Sequence, residues 1–309
     1  MTEIDIGICT YRRQSLNDTL RSLAALEVPD GVRLQILVAD NDIDPSARDR
    51  VSAFAKTAPW PVHYLHRPHG NISIARNGIL EASTARYLAF IDDDETAAPG
   101  WIAALLSEHQ ESAAEVVLGP VEPVYSQNAP AWMQESGIHE TQPVWVGDRI
   151  VTGYTCNVLI DRGRPRIRAL RFHLALGQTG GEDTMYFSSA HKAGAEFAFA
   201  EAATIFEPVP EGRANLKWLA TRRYRMGQTH ARTERSTGQR GYLPLLGSAA
   251  AKLTYCAGSY LLALPNERRR NAAYLRGCLH AGVVSALLGG SNVRLYGSDA
   301  ADLADISVR

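Results

Sequence analysis

No stretch of this 309-residue chain is apolar over the roughly 20 residues that a membrane-spanning helix needs. The longest candidates, residues 253–265 and 281–290, are short and rich in small side chains. Cysteine is scarce. The four present, Cys9, Cys156, Cys256 and Cys278, lie far apart with no C-x-x-C pair. That excludes a secreted disulfide scaffold, and the expectation is small, buried, apolar residues. Charge of one sign is also missing: the formal net charge is −1, so no whole-molecule field points to nucleic acid. The first residues lack a basic segment followed by a long apolar one. They begin at once with a strand pattern, which implies residence in the cytoplasm. Low-complexity tracts and internal repeats are absent too.

What is present is an ordinary folded composition, 45% hydrophobic and 21% charged. The first half alternates two periodicities. Strand-like runs at residues 4–10, 34–39, 62–66 and 87–91 alternate with helix-like segments at 16–26, 47–56, 74–82 and 101–112. Such alternation implies an α/β fold with a mostly parallel central sheet flanked by helices. From residue 116 the rhythm changes. Shorter strands are expected at 116–120, 144–146, 156–160, 197–200 and 204–207, with helices at 183–193 and 216–227. The chain from 243 onward reads as helical. Two regions follow, 1–240 and a helical C-terminal extension, 241–309.

Open α/β sheets bind ligands at the carboxyl ends of their strands, and polar residues collect there. Thr10, Tyr11, Arg12 and Arg13 follow the first strand. Asp40, Asn41 and Asp42 follow the second, and residues 71–76 lie just beyond the third. Asp92, Asp93 and Asp94 follow the fourth. Three adjacent carboxylates repel one another, a cost that a divalent cation such as Mg²⁺ or Mn²⁺ offsets. A solvated acidic turn capping the next helix would use the same residues. Asp40 suits either a turn aspartate or an acceptor for a base N–H. Arg76 is either a solvated surface residue or a phosphate ligand near a helix N-terminus. In G-G-E-D, Glu182 and Asp183 open a helix behind two glycines, as an acidic first turn or as a general base. Arg222, Arg223 and Arg225 form a basic helix face that would also stabilise an anionic leaving group. Trp132, Trp145 and Tyr154 serve equally as core aromatics or as platforms for sugar rings.

Taken in order, these signals resemble the family 2 glycosyltransferases with the GT-A fold, over about residues 4–230. The order carries the likeness: strand then T-Y-R-R, strand then D-N-D, S-I-A-R-N-G, strand then D-D-D-E, and G-G-E-D-T. The stretches I-D-I-G-I-C-T-Y-R-R, N-I-S-I-A-R-N-G, F-I-D-D-D-E-T, P-V-W-V-G, T-G-Y-T-C-N-V-L and G-Q-T-G-G-E-D-T are similar to the ExoM-type glucosyltransferases of succinoglycan assembly. The resemblance implies an inverting, metal-dependent transfer of a hexose from a UDP-sugar to a saccharide acceptor, one that is lipid-linked. Thr10, Tyr11 and Arg12 would line the nucleotide pocket, and Asp40 would read the uracil. Arg76 would approach the base or diphosphate. Asp93 would lie near the ribose, and Asp94, supported by Asp92, would hold Mg²⁺ or Mn²⁺. Asp183 would be the base, with Glu182 beside it near the acceptor. Gly153 and Asn157 would bound the floor under the donor sugar, and Arg222 and Arg225 would face the diphosphate. The Q-x-x-R-W element of membrane-embedded synthases is replaced by R-R-Y-R-M-G-Q, which favours single addition over processive synthesis.

Two other readings compete. One is a protein of the same fold that binds nucleotide-sugar without turnover. The other is a sugar nucleotidyltransferase, although C-T-Y-R-R lacks the glycine-rich, lysine-containing loop of that class. The C-terminal extension suits either a helical hairpin packed on protein or a segment resting peripherally on the inner face of the cytoplasmic membrane.

Overall fold

The computed structural model describes residues 1–237 and 241–291. The chain divides into two compact units. The first comprises Met1–Glu122 and Glu140–Pro208. The second comprises Pro123–His139 with the described residues from Val209 onward.

In the first unit the expected alternation is present. The elements are β1 (Thr2–Thr10), α1 (Leu16–Ala24), β2 (Val32–Asp40), α2 (Arg48–Ala55), β3 (Val62–His66), α3 (Ile72–Ala82), β4 (Tyr87–Ile91), β5 (Thr96–Ala97) and α4 (Trp101–Ser112). Then β6 (Val116–Leu118) leads into β7 (Val121–Tyr125), and α5 (Ala131–Ser136) follows in the second unit. A small hairpin, β8 (Trp145–Val146) and β9 (Arg149–Ile150), precedes β10 (Asn157–Asp161), α6 (Pro165–Arg168) and α7 (Glu182–Lys192). Strands β11 (Phe197–Phe199) and β12 (Ile205–Val209) complete the series.

Seven strands form the main sheet in the order β11-β6-β10-β4-β1-β2-β3. All its pairings are parallel except those of β10, which runs antiparallel to both β4 and β6. Both faces of the sheet are buried, as a parallel sheet requires. On one face Ile4, Ile6, Ile8, Ile36 and Val38 meet Leu16, Leu20 and Leu23 of α1 and Trp101 and Leu105 of α4. On the other, Leu37, Phe90, Val158 and Ile160 meet Ile79 of α3 and Tyr186 and Phe187 of α7. Alternate residues along β2 thus serve different layers, which is the period-2 rule of a strand.

Boundaries shift for local reasons. Helix α3 starts at Ile72, ahead of the expected 74, because the Asn71 side chain caps it, accepting from the amides of Ser73 (3.0 Å) and Ile74 (3.4 Å). The short α5 and α6 have too few residues for a helical period to register in sequence.

In the second unit, α8 (Leu216–Thr237), α9 (Tyr242–Leu262) and α10 (Glu267–Leu287) are long helices. Helix α8 runs ten residues past the expected end at 227 and packs on α10, which also carries α9, so it belongs with the C-terminal helices. Gly227 and Gly282 make this packing close. A side chain on Gly227 would strike the Leu279 carbonyl, and one on Gly282 the Tyr224 carbonyl. Among the described residues no helix is long and apolar enough to cross a membrane.

Candidate active site

Parallel pairing aligns the carboxyl ends of β1, β2 and β4, with Thr10 opposite Asp40 and Gly7 opposite Phe90. Antiparallel β10 begins at the same edge, with Asn157 opposite Ile91. One rim of one sheet therefore carries the segments after Thr10, after Asp40 and after Ile91, together with the entry to β10.

Arg76 ties this rim to the start of α7. It is buried, 6% exposed. Its Nη1 hydrogen-bonds Oε1 of Glu182, its Nη2 lies 3.9 Å from Oδ1 of Asp92, and its guanidinium sits 5.5 Å over the Phe172 ring. Burial pulls the Arg76 pKa down, but neighbouring Glu182, Asp92 and Asp183 together outweigh it and raise the pKa, so it stays charged. Burial raises the Glu182 carboxyl, and Arg76 opposes that shift. The turn before α7 needs its two glycines: Gly180 and Gly181 adopt φ of +79° and +93°. Asp183 follows in the first turn, partly exposed, with Oδ1 accepting from the Thr184 amide (2.6 Å).

In the acidic turn the Asp92 side chain is 43% exposed. Crowding by the surrounding chain, with Asp94, Asp93 and Glu207 nearby and Arg76 opposing, still pushes its pKa up to about 7. Asp93 is buried and pushed up to about 6, against the Thr10 hydroxyl, which lowers it. Glu95 is buried and raised as well, and its Oε2 accepts from the Asp92 amide (2.8 Å). Asp94 pairs with Arg13 at 3.2 Å. Arg13 stands in the T-Y-R-R run, but its partner was not legible there, because the contact joins residues 81 positions apart in the chain.

This turn suits a hard divalent cation. It offers oxygen donors alone, the donor chemistry of Mg²⁺ and Mn²⁺. Asp93 Oδ2 is buried with no hydrogen-bond partner, and a nearby positive charge would relieve both it and the raised Asp92. Among the described residues no group of three or more His, Cys, Asp or Glu is preassembled for a metal. Asp94 and Asp92 are the carboxylates of this turn that would serve as its ligands.

Arg12 adopts a left-handed backbone (φ +54°), lies 5.3 Å over the Tyr11 ring and hydrogen-bonds Asp42 (2.7 Å). That bond holds the Asp42 carboxyl below its usual range. Tyr11 is 39% exposed, whereas Thr10 is buried. Asp40 is wholly buried. Its Oδ1 accepts from the Asp42 amide (3.1 Å), and its Oδ2 from the Ala47 amide and the Tyr64 hydroxyl, both at 2.8 Å. Asn157 is equally enclosed: its amide accepts from Trp101 Nε1 (2.8 Å) and donates to the carbonyls of Pro120 (2.8 Å) and Ala203 (2.7 Å). Gly153 is buried where a side chain would press on Leu118 and Phe187. Arg222 and Arg225 lie on α8 in the second unit, where Arg222 stacks over Trp218 at 5.4 Å. Of the three candidate aromatic platforms, Trp132 and Tyr154 are buried, Tyr154 donating to the Gly119 carbonyl (2.7 Å), and Trp145 is 51% exposed on the β8–β9 hairpin.

The family model "Glycosyl transferase family 2" matches residues 5–164, which contain the acidic turn, Arg76 and β10. The chain belongs to glycosyl transferase family 2. Over 297 residues it is 48% identical to "Succinoglycan biosynthesis protein ExoM" of Rhizobium meliloti, covering 96% of each chain. The mannosyltransferase PcManGT of Pyrobaculum calidifontis, solved with GDP-Man and Mn²⁺, shares the fold (TM-score 0.61, 18% identity). That likeness covers 92% of this chain and 86% of the other. TarS of S. aureus, solved with UDP-GlcNAc, does so with a TM-score of 0.55 and 13% identity over 97% of this chain and 100% of the other. The protein is a glycosyltransferase with the GT-A fold, a mixed α/β sheet flanked by helices and followed by a helical C-terminal region.

Proposed function

We propose that this glycosyltransferase moves a hexose, glucose from UDP-glucose, to a saccharide acceptor on a lipid carrier during exopolysaccharide assembly. It acts in the cytoplasm, by one inverting displacement. The observation that carries this reading is Arg76, which joins the acidic turn to the Glu182–Asp183 turn at one sheet edge. Resemblance to the succinoglycan protein supports the polymer class.

In this mechanism Asp94 and Asp92 would hold the cation beside the donor's diphosphate. A bound divalent cation would neutralise charge developing on the departing diphosphate. Thr10, Tyr11 and Arg12 bind the nucleotide, with Asp93 near the ribose. Asp40, with no exposed surface and with three hydrogen bonds from the fold, shapes the uracil end of the site. Gly153 and Asn157 set the floor under the sugar by fixing the entry to β10. Asp183 takes the proton of the attacking acceptor hydroxyl. Glu182, pinned by Arg76, fixes where the first turn of α7 places Asp183. Trp145 offers an exposed ring face for the acceptor.

The test is a donor screen with UDP-glucose, UDP-galactose and GDP-mannose, with and without chelator, scoring hydrolysis and transfer. Asp183→Asn is expected to keep donor binding and to lose transfer by about 10²–10⁴-fold. Full transfer by that variant would remove Asp183 as the base. Donor binding without turnover by the native protein would instead favour a binding protein of this fold.

A further inference from the structure

Helix α9 has two unlike sides. Leu245, Ala249 and Cys256 are buried. The opposite side, running from Leu243 through Tyr255 to Leu261 and Leu262, is open, with exposures of 74%, 68%, 65% and 88%. Those positions fall on one stripe at helical spacing, and apart from Lys252 the remaining exposed positions between them are Pro, Ala, Gly and Thr. The one charged residue of the helix, Lys252, sits at the edge of the stripe. A water-facing helix ordinarily carries charge on its outer side.

At the C-terminal end of this stripe Leu264 is also half exposed. The chain then turns, and Asn266 caps α10 by accepting from the Arg269 amide (2.9 Å). Arg268, Arg269 and Arg270 fill the first turn of α10. Arg270 is 3.9 Å from Glu267, whereas Arg268 and Arg269 are exposed, with no carboxylate partner among the described residues. Cations at a helix N-terminus oppose the helix dipole, so their placement costs stability unless an external anion offsets it.

We infer that the open face of α9 and the adjoining arginines form a docking surface for a membrane leaflet that contains anionic phospholipid. The aliphatic side chains would enter the boundary between headgroups and acyl chains, and Arg268 and Arg269 would meet lipid phosphates. At 21 residues, α9 is about 30 Å long. It lies along a leaflet on this reading, since it is not apolar enough to span one. Charge complementarity is what selects a bilayer over a second copy of the chain. Helix α9 carries no carboxylate and the first turn of α10 carries one, Glu267, so these described residues bring no acidic cluster for the arginines of a second copy to meet. The surface does not depend on the reaction assigned above, because lipid binding is read without donor or acceptor.

The experiment is co-sedimentation of the full chain with vesicles of phosphatidylcholine alone and of phosphatidylcholine mixed with phosphatidylglycerol. The native protein is expected to bind the mixed vesicles, more weakly at high salt, and to bind phosphatidylcholine poorly. Leu261→Glu with Leu262→Glu is expected to weaken binding at least about tenfold. Arg268→Ala with Arg269→Ala should weaken it by about fivefold for each arginine removed. All four side chains are on the surface, so circular dichroism and donor hydrolysis should be unchanged. Failure of the native protein to bind mixed vesicles would overturn the inference, as would binding indifferent to both pairs of substitutions. A soluble dimer that the leucine pair dissociates, without vesicle binding, would assign the face to a second copy and overturn it too.

Discussion

The guanidinium of Arg76 lies between carboxylates from two distant segments, hydrogen-bonding Glu182 and standing 3.9 Å from Asp92. Both Arg76 and Glu182 are nearly inaccessible to water. Breaking such a pair strands a charge, whereas replacing both members need not. Arg76→Met is expected to cost about 3–5 kcal/mol in urea unfolding. Arg76→Met combined with Glu182→Gln should recover much of that loss while transfer stays impaired, since α7 then lacks its anchor. A single-variant cost below about 1 kcal/mol would mean that the pair is not a structural tie.

Asp94 faces Arg13 and, on the proposed mechanism, the cation. Asp94→Asn is expected to lower donor affinity by at least about tenfold in Mg²⁺ or Mn²⁺, the scale on which even outer partners of a metal site act. With chelator present, native protein and variant should bind the donor alike. Calorimetric titration in both conditions checks this. Equal affinities in metal would remove Asp94 from the cation site.

His139 in the second unit supplies a pH dependence of its own. It is 4% exposed, stacks on Trp218 and lies 2.9 Å from the Tyr125 hydroxyl. Burial, aided by Arg222, Arg213 and Arg223 and opposed by the Arg213 carbonyl, lowers its pKa to about 4. In the unfolded chain the ring takes up a proton near pH 6.5. The unfolded state therefore binds more protons between those values, and stability falls as pH drops from about 6.5 towards 4. The contribution is on the order of 3 kcal/mol. Unfolding midpoints for the native protein and His139→Gln should converge as pH falls through that window. Parallel curves would show that His139 is not the titrating group.

Gly282 allows α10 to pass against the Tyr224 carbonyl of α8. Gly282→Ala forces two backbones apart, for which overpacking of about 1–3 kcal/mol is the expected cost. The exposed Gly247, with nothing within 4 Å of an added methyl group, should tolerate Ala or gain slightly from better helix propensity. Thermal melts of the two variants test the contrast.

The strand-end motifs were readable because they are local. A period-2 run followed by D-D-D-E states both the strand and its polar end, and G-G-E-D states a tight turn and a helix start. Asp40 and Asn157 show the limit. Each looks like a ligand in sequence, yet each has its polar atoms taken up by the fold, through Tyr64 and Ala47 in one case and Trp101 and Ala203 in the other. Those partners lie up to 56 positions away. No spacing rule reports them.

Local periodicity and turn chemistry by themselves determined the α/β alternation and the order of the acidic and basic motifs, on which the family resemblance rests, since each depends on residues a few positions apart. Tertiary structure decided which charges meet: Arg76 with Glu182 across 106 positions, and Arg13 with Asp94. It also decided that α8 and α9 both pack on α10 and that one side of α9 stays open. Pairing over such separations follows from how the sheet orders its strands and how helices seat on one another, and that is a property of the whole chain rather than of any segment.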